Sequence, residues 1–303
     1  MLTKFFKQSK PIVLLFFILL CWLALCVDLF LITKAPTNWI NILFVATSIS
    51  FSLFLVNFII RKNKINKQNS FGLSLFAFGL ISMLPLIESI NTWWVIIFMG
   101  LFFRRLVSML NEANLKKKTF EASVWLIIAS FFEPSLILLL LLIWLTNLIL
   151  SVNQLANYFI PIITFAGAFL LANAWTILKS DSWFSIQFYK QTIQFDLSWK
   201  FDIGFLYIFT LSLVCLISFP GFLQRAQVLK KIQLNLLLIA ALSLLALISF
   251  IEVSSPSLYI LCLFPLAAIG GEFFQLKMKK WFKEMMWWLL ICLAILSFVV
   301  VLF

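Results

Sequence analysis

The chain contains no histidine, and 11 Asp and Glu residues supply its carboxylates. The usual general base, the commonest metal ligand and the histidine of nucleophile triads are removed together. Asp28 and Glu133 stand within long apolar runs. Asp28 lies near the end of "PIVLLFFILLCWLALCVDLFL", and Glu133 interrupts "SVWLIIASFFEPSLILLLLLIWLTNLIL" directly before Pro134. An ionised carboxylate in hydrocarbon costs roughly 2.5–3.5 kcal/mol even on insertion scales, so each is a functional candidate by default. Either acid could protonate a leaving group or deprotonate a nucleophile. The structural alternatives are an interfacial helix end for Asp28, as for Glu88, and backbone capping by Glu133 where Pro134 leaves donors open.

Arg104 and Arg105 end the fourth apolar run. They suit snorkelling to headgroups or, more sharply, a clamp on a lipid phosphate. Asn147 and Asn173 fall inside apolar runs and fit helix bridging better than ligand binding. Gly270 and Gly271, with Ala267 and Ala268, permit close helix packing. No G-x-G-x-x-G or G-K-[ST] follows them, so they do not form a phosphate loop. Cys21, Cys26, Cys215, Cys262 and Cys292 sit in apolar runs without a C-x-x-C and read as packing residues. Nothing here calls for a metal or a cofactor.

What must position these residues is a membrane. The chain is 64% hydrophobic and 11% charged, with a mean hydropathy of +1.11. Apolar stretches of spanning length recur at roughly 11–31, 39–60, 71–90, 92–110, 122–150, 157–177, 201–221, 234–251, 257–275 and 285–303. The expected fold is all-α: a polytopic transmembrane helix bundle of about 9–11 membrane segments, forming one integral domain over residues 1–303. No internal repeat is evident. The net charge of +12 resides in the gaps between runs, which is the positive-inside bias rather than a nucleic-acid surface. The basic leader before the first run has no small-residue cleavage site, so an uncleaved first helix is expected.

The 122–150 stretch would measure about 44 Å as one helix, against a hydrocarbon core of about 30 Å. A single crossing there splits the 23 Lys and Arg into 15 on one side and 8 on the other; a hairpin splits them 19 to 4. Proline removes a donor and biases Glu133 away from helical geometry, so a hairpin hinged at Glu133-Pro134 is expected. Its arms, 122–132 and 135–150, would measure about 16 and 24 Å, with Glu133 about two-thirds of the way across. This topology puts the N-terminus and the gaps 61–70, 104–121, 222–233 and 276–284 in the cytoplasm. Asp28, Glu88, Glu133, Asp181, Asp196, Asp202 and Glu252 fall towards the opposite side, as does the C-terminus. The aromatic-rich, charge-neutral stretch 179–202 is expected as an interfacial element there.

The segments "FFKQSKPIVLL", "RKNKINKQNSFGLSLF" and "FRRLVSMLNEANLKKKTFEASVWLIIASFFEPSLILLLLLIW" resemble a family of uncharacterised polytopic inner-membrane proteins of Bacteroidota. The resemblance implies a multi-pass protein of a Gram-negative inner membrane, and it carries no catalytic residue over. "IIASFFEPSLILLLLLIW" and "SPSLYILCLFPLAAIGG" also resemble helices of the GT-C membrane glycosyltransferases, which use polyprenyl-phosphate-linked sugars. Those enzymes carry a catalytic acid after the first span, where Asp28 stands. They also have a long first outer loop, which is missing here, and Glu133 replaces their basic residue near the broken helix.

The leading expectation is a non-enzymatic subunit or assembly factor of an envelope complex, with membrane lipids and other membrane proteins as partners and no nucleic acid. The alternative is a GT-C-like transferase acting on a polyprenyl-phosphate lipid at the extracytoplasmic face, with Asp28 or Glu133 as its acid. The third is a transporter or lipid flippase, which a broken helix suits but which calls for a paired second break or an inverted repeat.

Overall fold

The computed structural model describes residue 6 and residues 11–31, 38–66, 69–87, 89–110, 114–150, 154–180, 203–225, 227–250, 256–276 and 279–302. Among them the fold is all-α, with no strand. The helices are α1 (Pro11–Leu31), α2 (Trp39–Lys62), α3 (Phe71–Met83), α4 (Ile90–Ser108), α5 (Leu115–Phe132), α6 (Leu140–Ile149), α7 (Ala156–Ser180), α8 (Ile203–Arg225), α9 (Val228–Phe250), α10 (Leu263–Phe273) and α11 (Lys280–Leu302). Short 3-10 segments occupy Leu84–Leu86, Pro134–Leu139 and Pro256–Cys262. Six helices, α1, α2, α4, α7, α9 and α11, are long and apolar enough to cross a bilayer. The chain is a multi-pass membrane protein.

The helices begin earlier than the apolar runs do. α5 starts at Leu115 rather than 122, α9 at Val228 rather than 234, and α11 at Lys280 rather than 285. The added turns read "LKKK", "VLKK" and "KWFK". Lys is a good helix former, and its long stem lets the backbone stay helical while the ammonium reaches the headgroups. The first hairpin arm is therefore 18 residues, about 27 Å, and can cross without being sheltered as a short stub. Glu133 moves from two-thirds of the way across to the far end of that arm.

Three short helices gain reach from their 3-10 segments, which rise about 2.0 Å per residue. Pro134–Leu139 with α6 spans about 27 Å, and Pro256–Cys262 with α10 about 30 Å.

Contacts fix the alternation of helix directions. Trp22 Nε1 of α1 donates to Ser50 Oγ of α2 (3.1 Å). Phe44 meets Trp94, and Phe58 meets Arg104, so α2 and α4 run parallel. Arg105 pairs with Glu121 while Trp94 stacks on Phe132, so α4 and α5 run antiparallel. Trp144 Nε1 donates to Tyr158 O (2.9 Å) across the α6–α7 turn. Phe205 packs on Tyr259, and Cys215 Sγ lies 3.5 Å from Leu266 O, which makes α8 parallel to 256–273. α5 and α6 touch each other and both touch α7, as the arms of a hairpin do. Every described Lys and Arg except Lys179 then falls at one end of the bundle.

The core is built on α3 and α10, which are buried on almost every face, as a helix apolar all round must be. They pack antiparallel and very close. A Cβ on Gly72 would lie 3.0 Å from Ala267 O, and one on Gly271 would lie 3.0 Å from Gly72 N. This is the close approach expected of Gly270-Gly271. Tyr207 of α8 closes the layer, its hydroxyl donating to Leu75 O at 2.8 Å.

A repeat does exist in the order of elements. Helix, helix, 3-10 segment, short helix, long helix describes α4 to α7 and again α8 to α11. The sequence joining the second and third elements reads "SFFEPSL" at 130–136 and "SFIEVSSPSL" at 249–258. The closing helices dock differently: α7 packs on α5 and α6, whereas α11 packs on α3 and α8. Outside the two turns the halves share little beyond apolar composition, which hides the repeat from the sequence.

Candidate functional site

Glu133 ends α5 with extended backbone (φ −138°, ψ 95°), as the residue before a proline should. Its N–H still donates to Ala129 O (3.0 Å), and its carbonyl accepts from Leu136 N (3.1 Å), which opens the 3-10 segment. The carboxylate accepts from Ser135 Oγ at 3.0 Å, and the residue is only 6% exposed. Glu133 faces protein, as an intramembrane acid must. Glu133 makes no side-chain cap bond to the backbone after Pro134, in contrast to the capping expected of it; the Ser135 hydroxyl holds its carboxylate instead. The second break, at Pro256, starts at the same end of the bundle. Paired breaks in transporters meet near the midplane; these two lie at the ends of their helical segments instead.

Asp28 occupies the last turns of α1, half-buried, and its Oδ1 is shielded from solvent without a hydrogen-bond partner. Its helix packs on α2, α3 and the 84–86 turn, whereas the segment after Glu133 packs on α5, α6 and α9. The two acids belong to different flanks. Glu88, Asp181, Asp196, Asp202 and Glu252, with most of the 179–202 stretch, lie outside the described residues.

The structure separates the neighbouring arginines. Arg105 forms an ion pair with Glu121 of α5. Arg104 turns the other way and places its guanidinium 4.9 Å from the centre of the Phe58 ring, where Lys62 Nζ also lies, at 5.1 Å. Lys118, in the first turn of α5 ahead of its apolar run, donates to Ser108 O at 2.8 Å. Burial, then the nearby charges of Arg105 and Lys62, pull the Lys118 ammonium below the usual lysine range.

A further acid was not singled out from the sequence. Glu272, 8% exposed near the end of α10, pairs with Lys230 of α9 (2.8 Å) and accepts from Gln275 Nε2 (2.8 Å). With its amide oriented to satisfy both neighbours, Asn66 donates to Glu272 Oε1 (3.0 Å) and Ala268 O (3.1 Å). A lone acid at the end of an apolar run, directly after Gly270-Gly271, was the available signal.

Asn147 bridges helices as expected, donating to Asn157 O at 3.2 Å, while Asn173 bonds within its own helix to Phe169 O at 3.0 Å. The side-chain oxygens of Asn147 and Asn157 are buried without partners. Cys21, Cys215 and Cys262 are buried and Cys26 and Cys292 exposed, all as free thiols. Among the described residues no three His, Cys, Asp or Glu side chains gather as metal ligands would.

Comparison of the chain with protein-family models, with curated proteins and with solved structures gives no match.

Proposed function

We propose that this multi-pass membrane protein is a non-enzymatic subunit or assembly factor of an inner-membrane envelope complex, with its basic end in the cytoplasm. The observation that supports this reading is the use made of its carboxylates. Glu133 is held by the Ser135 hydroxyl at a hairpin turn, Glu121 is held by Arg105, and Glu272 joins α9, α10 and the α2–α3 turn. Acids engaged in this way hold helices together, and a general acid instead needs access to a substrate proton. The test is affinity purification after gentle detergent extraction. A stoichiometric membrane partner should co-purify; a chain recovered alone under every mild condition refutes the reading. Orientation is tested separately, with cysteines placed at Lys190 and Lys230 of a cysteine-free variant and an impermeant thiol reagent on spheroplasts. Labelling at 190 and not at 230 is expected, and the reverse overturns the topology.

A second reading, transfer from a polyprenyl-phosphate-linked sugar, draws on one observation: the Asp28 carboxylate oxygen is shielded and has no partner. Asp28→Asn should then abolish a cellular glycan phenotype without lowering protein abundance. Full complementation by that variant removes this reading.

A further inference from the structure

We infer that the basic end holds the phosphate of an anionic phospholipid between Arg104 and Lys62, with the acyl chain lying along the exposed phenylalanines of α2.

The argument starts from an excess of charge. Lys62 and Arg104 approach the same Phe58 ring, so their charges are no more than about 10 Å apart. Lys118 and Arg105 stand at the same end, Lys118 Nζ donating to Ser108 O, three residues beyond Arg105, at 2.8 Å. Arg105 has a carboxylate partner, Glu121, whereas neither Lys62 nor Arg104 has one among the described residues. Like charges gathered at the edge of a low-dielectric bundle repel one another, and a bound anion relieves that repulsion.

The surface beside the pair suits a lipid rather than a free anion. Phe58 stacks on Phe54 (6.5 Å between centroids), and Phe54 and Phe51 are 52% and 39% exposed. Spacings of three and four residues put Phe51, Phe54 and Phe58 on one face of α2, running from the cations towards the bilayer interior. An acyl chain on that face and a phosphate at Arg104 and Lys62 would occupy both features at once. Arg supplies the forked donors that match phosphate oxygens, and Lys adds a point charge.

Purified protein, delipidated in detergent, is titrated with phosphatidylglycerol, phosphatidylcholine or inorganic phosphate and read by native mass spectrometry. Retained phosphatidylglycerol should fall about 30-fold in the Lys62→Gln/Arg104→Gln variant, the effect of two headgroup-facing cations. Arg104→Lys in the parent should keep most of the binding. Lys116→Gln/Lys117→Gln removes the same charge from exposed positions nearby and should change retention little. The thermal midpoint of each variant shows that it is folded. Equal losses in both double variants reduce the effect to diffuse attraction and overturn the inference, as does unchanged retention in the first. Displacement of the lipid by millimolar inorganic phosphate, or equal retention of phosphatidylcholine, overturns the anionic-lipid assignment.

Discussion

Removing the Glu272 carboxylate should destabilise the basic end by an amount that its surroundings determine. Glu272→Ala takes an acceptor from Lys230, Gln275 and Asn66 together. The Lys230 side chain is 25% exposed and can rehydrate, so its share is about 0.5–1 kcal/mol, close to the value for surface pairs. Asn66 is 4% exposed and has no such escape. It keeps Ala268 O but is left with one buried N–H unsatisfied, at about 1–3 kcal/mol. The total is roughly 2–4 kcal/mol, or about 4–8 °C in apparent midpoint at about 2 °C per kcal/mol for a chain of this size. Glu272→Gln retains an amide oxygen and should lose only about 2 °C. Fluorescence-detected size exclusion after heating reads both. A Glu272→Ala midpoint within the error of the parent, or equal losses for Ala and Gln, would show that the cluster is not holding the helices. A double-mutant cycle with Lys230→Met should give a coupling of about 0.5–1 kcal/mol; a much larger value would mean that the charge pair, not Asn66, carries the effect.

Lys64 follows the C-cap of α2 at φ 51°, its N–H bonding Arg61 O while Ile65 N bonds Ile60 O. This is a Schellman turn with a β-carbon where glycine is favoured, so Lys64→Gly should stabilise by up to about 1 kcal/mol in the same heating assay. Gly72→Ala should destabilise by about 1–3 kcal/mol, because its Cβ would press on the Ala267 carbonyl, and backbone cannot give way as a side chain can. Trp287 is 1% exposed within a ring cluster of Phe6, Phe71 and Phe274, and its Nε1 has no partner. Trp287→Ala should cost about 3–5 kcal/mol, whereas Trp287→Phe, which removes the orphaned N–H, should cost far less; equal losses would contradict this.

The spans were legible because apolar length is written directly into the chain, and the hairpin because Pro134 and the distribution of Lys and Arg agree. The helix starts were missed at Leu115, Val228 and Lys280, where hydropathy stops but helix propensity continues. Arg104 and Arg105 look equivalent in sequence; they lie about 100° apart around α4, so one meets Glu121 and the other Phe58. Glu272 was hidden because its partner Asn66 is remote in sequence. Only the packing of α3 against α10, allowed by Gly72 and Gly271, brings them together.

The Phe6 carbonyl accepts from both the backbone N–H and the hydroxyl of Ser70, and its ring lies 5.1 Å from that of Trp287. The seat for Phe6 is thus completed by α11. At about 5–20 residues per second, ribosomal synthesis from Phe6 to Trp287 takes on the order of 15–55 s, during which the leader has only part of its seat. Closure of this seat therefore waits until α11 has been made. A cysteine at position 6 should react with a thiol reagent in nascent chains stalled after α10 and become protected once α11 is released. Equal reactivity in both would mean that the seat forms without α11.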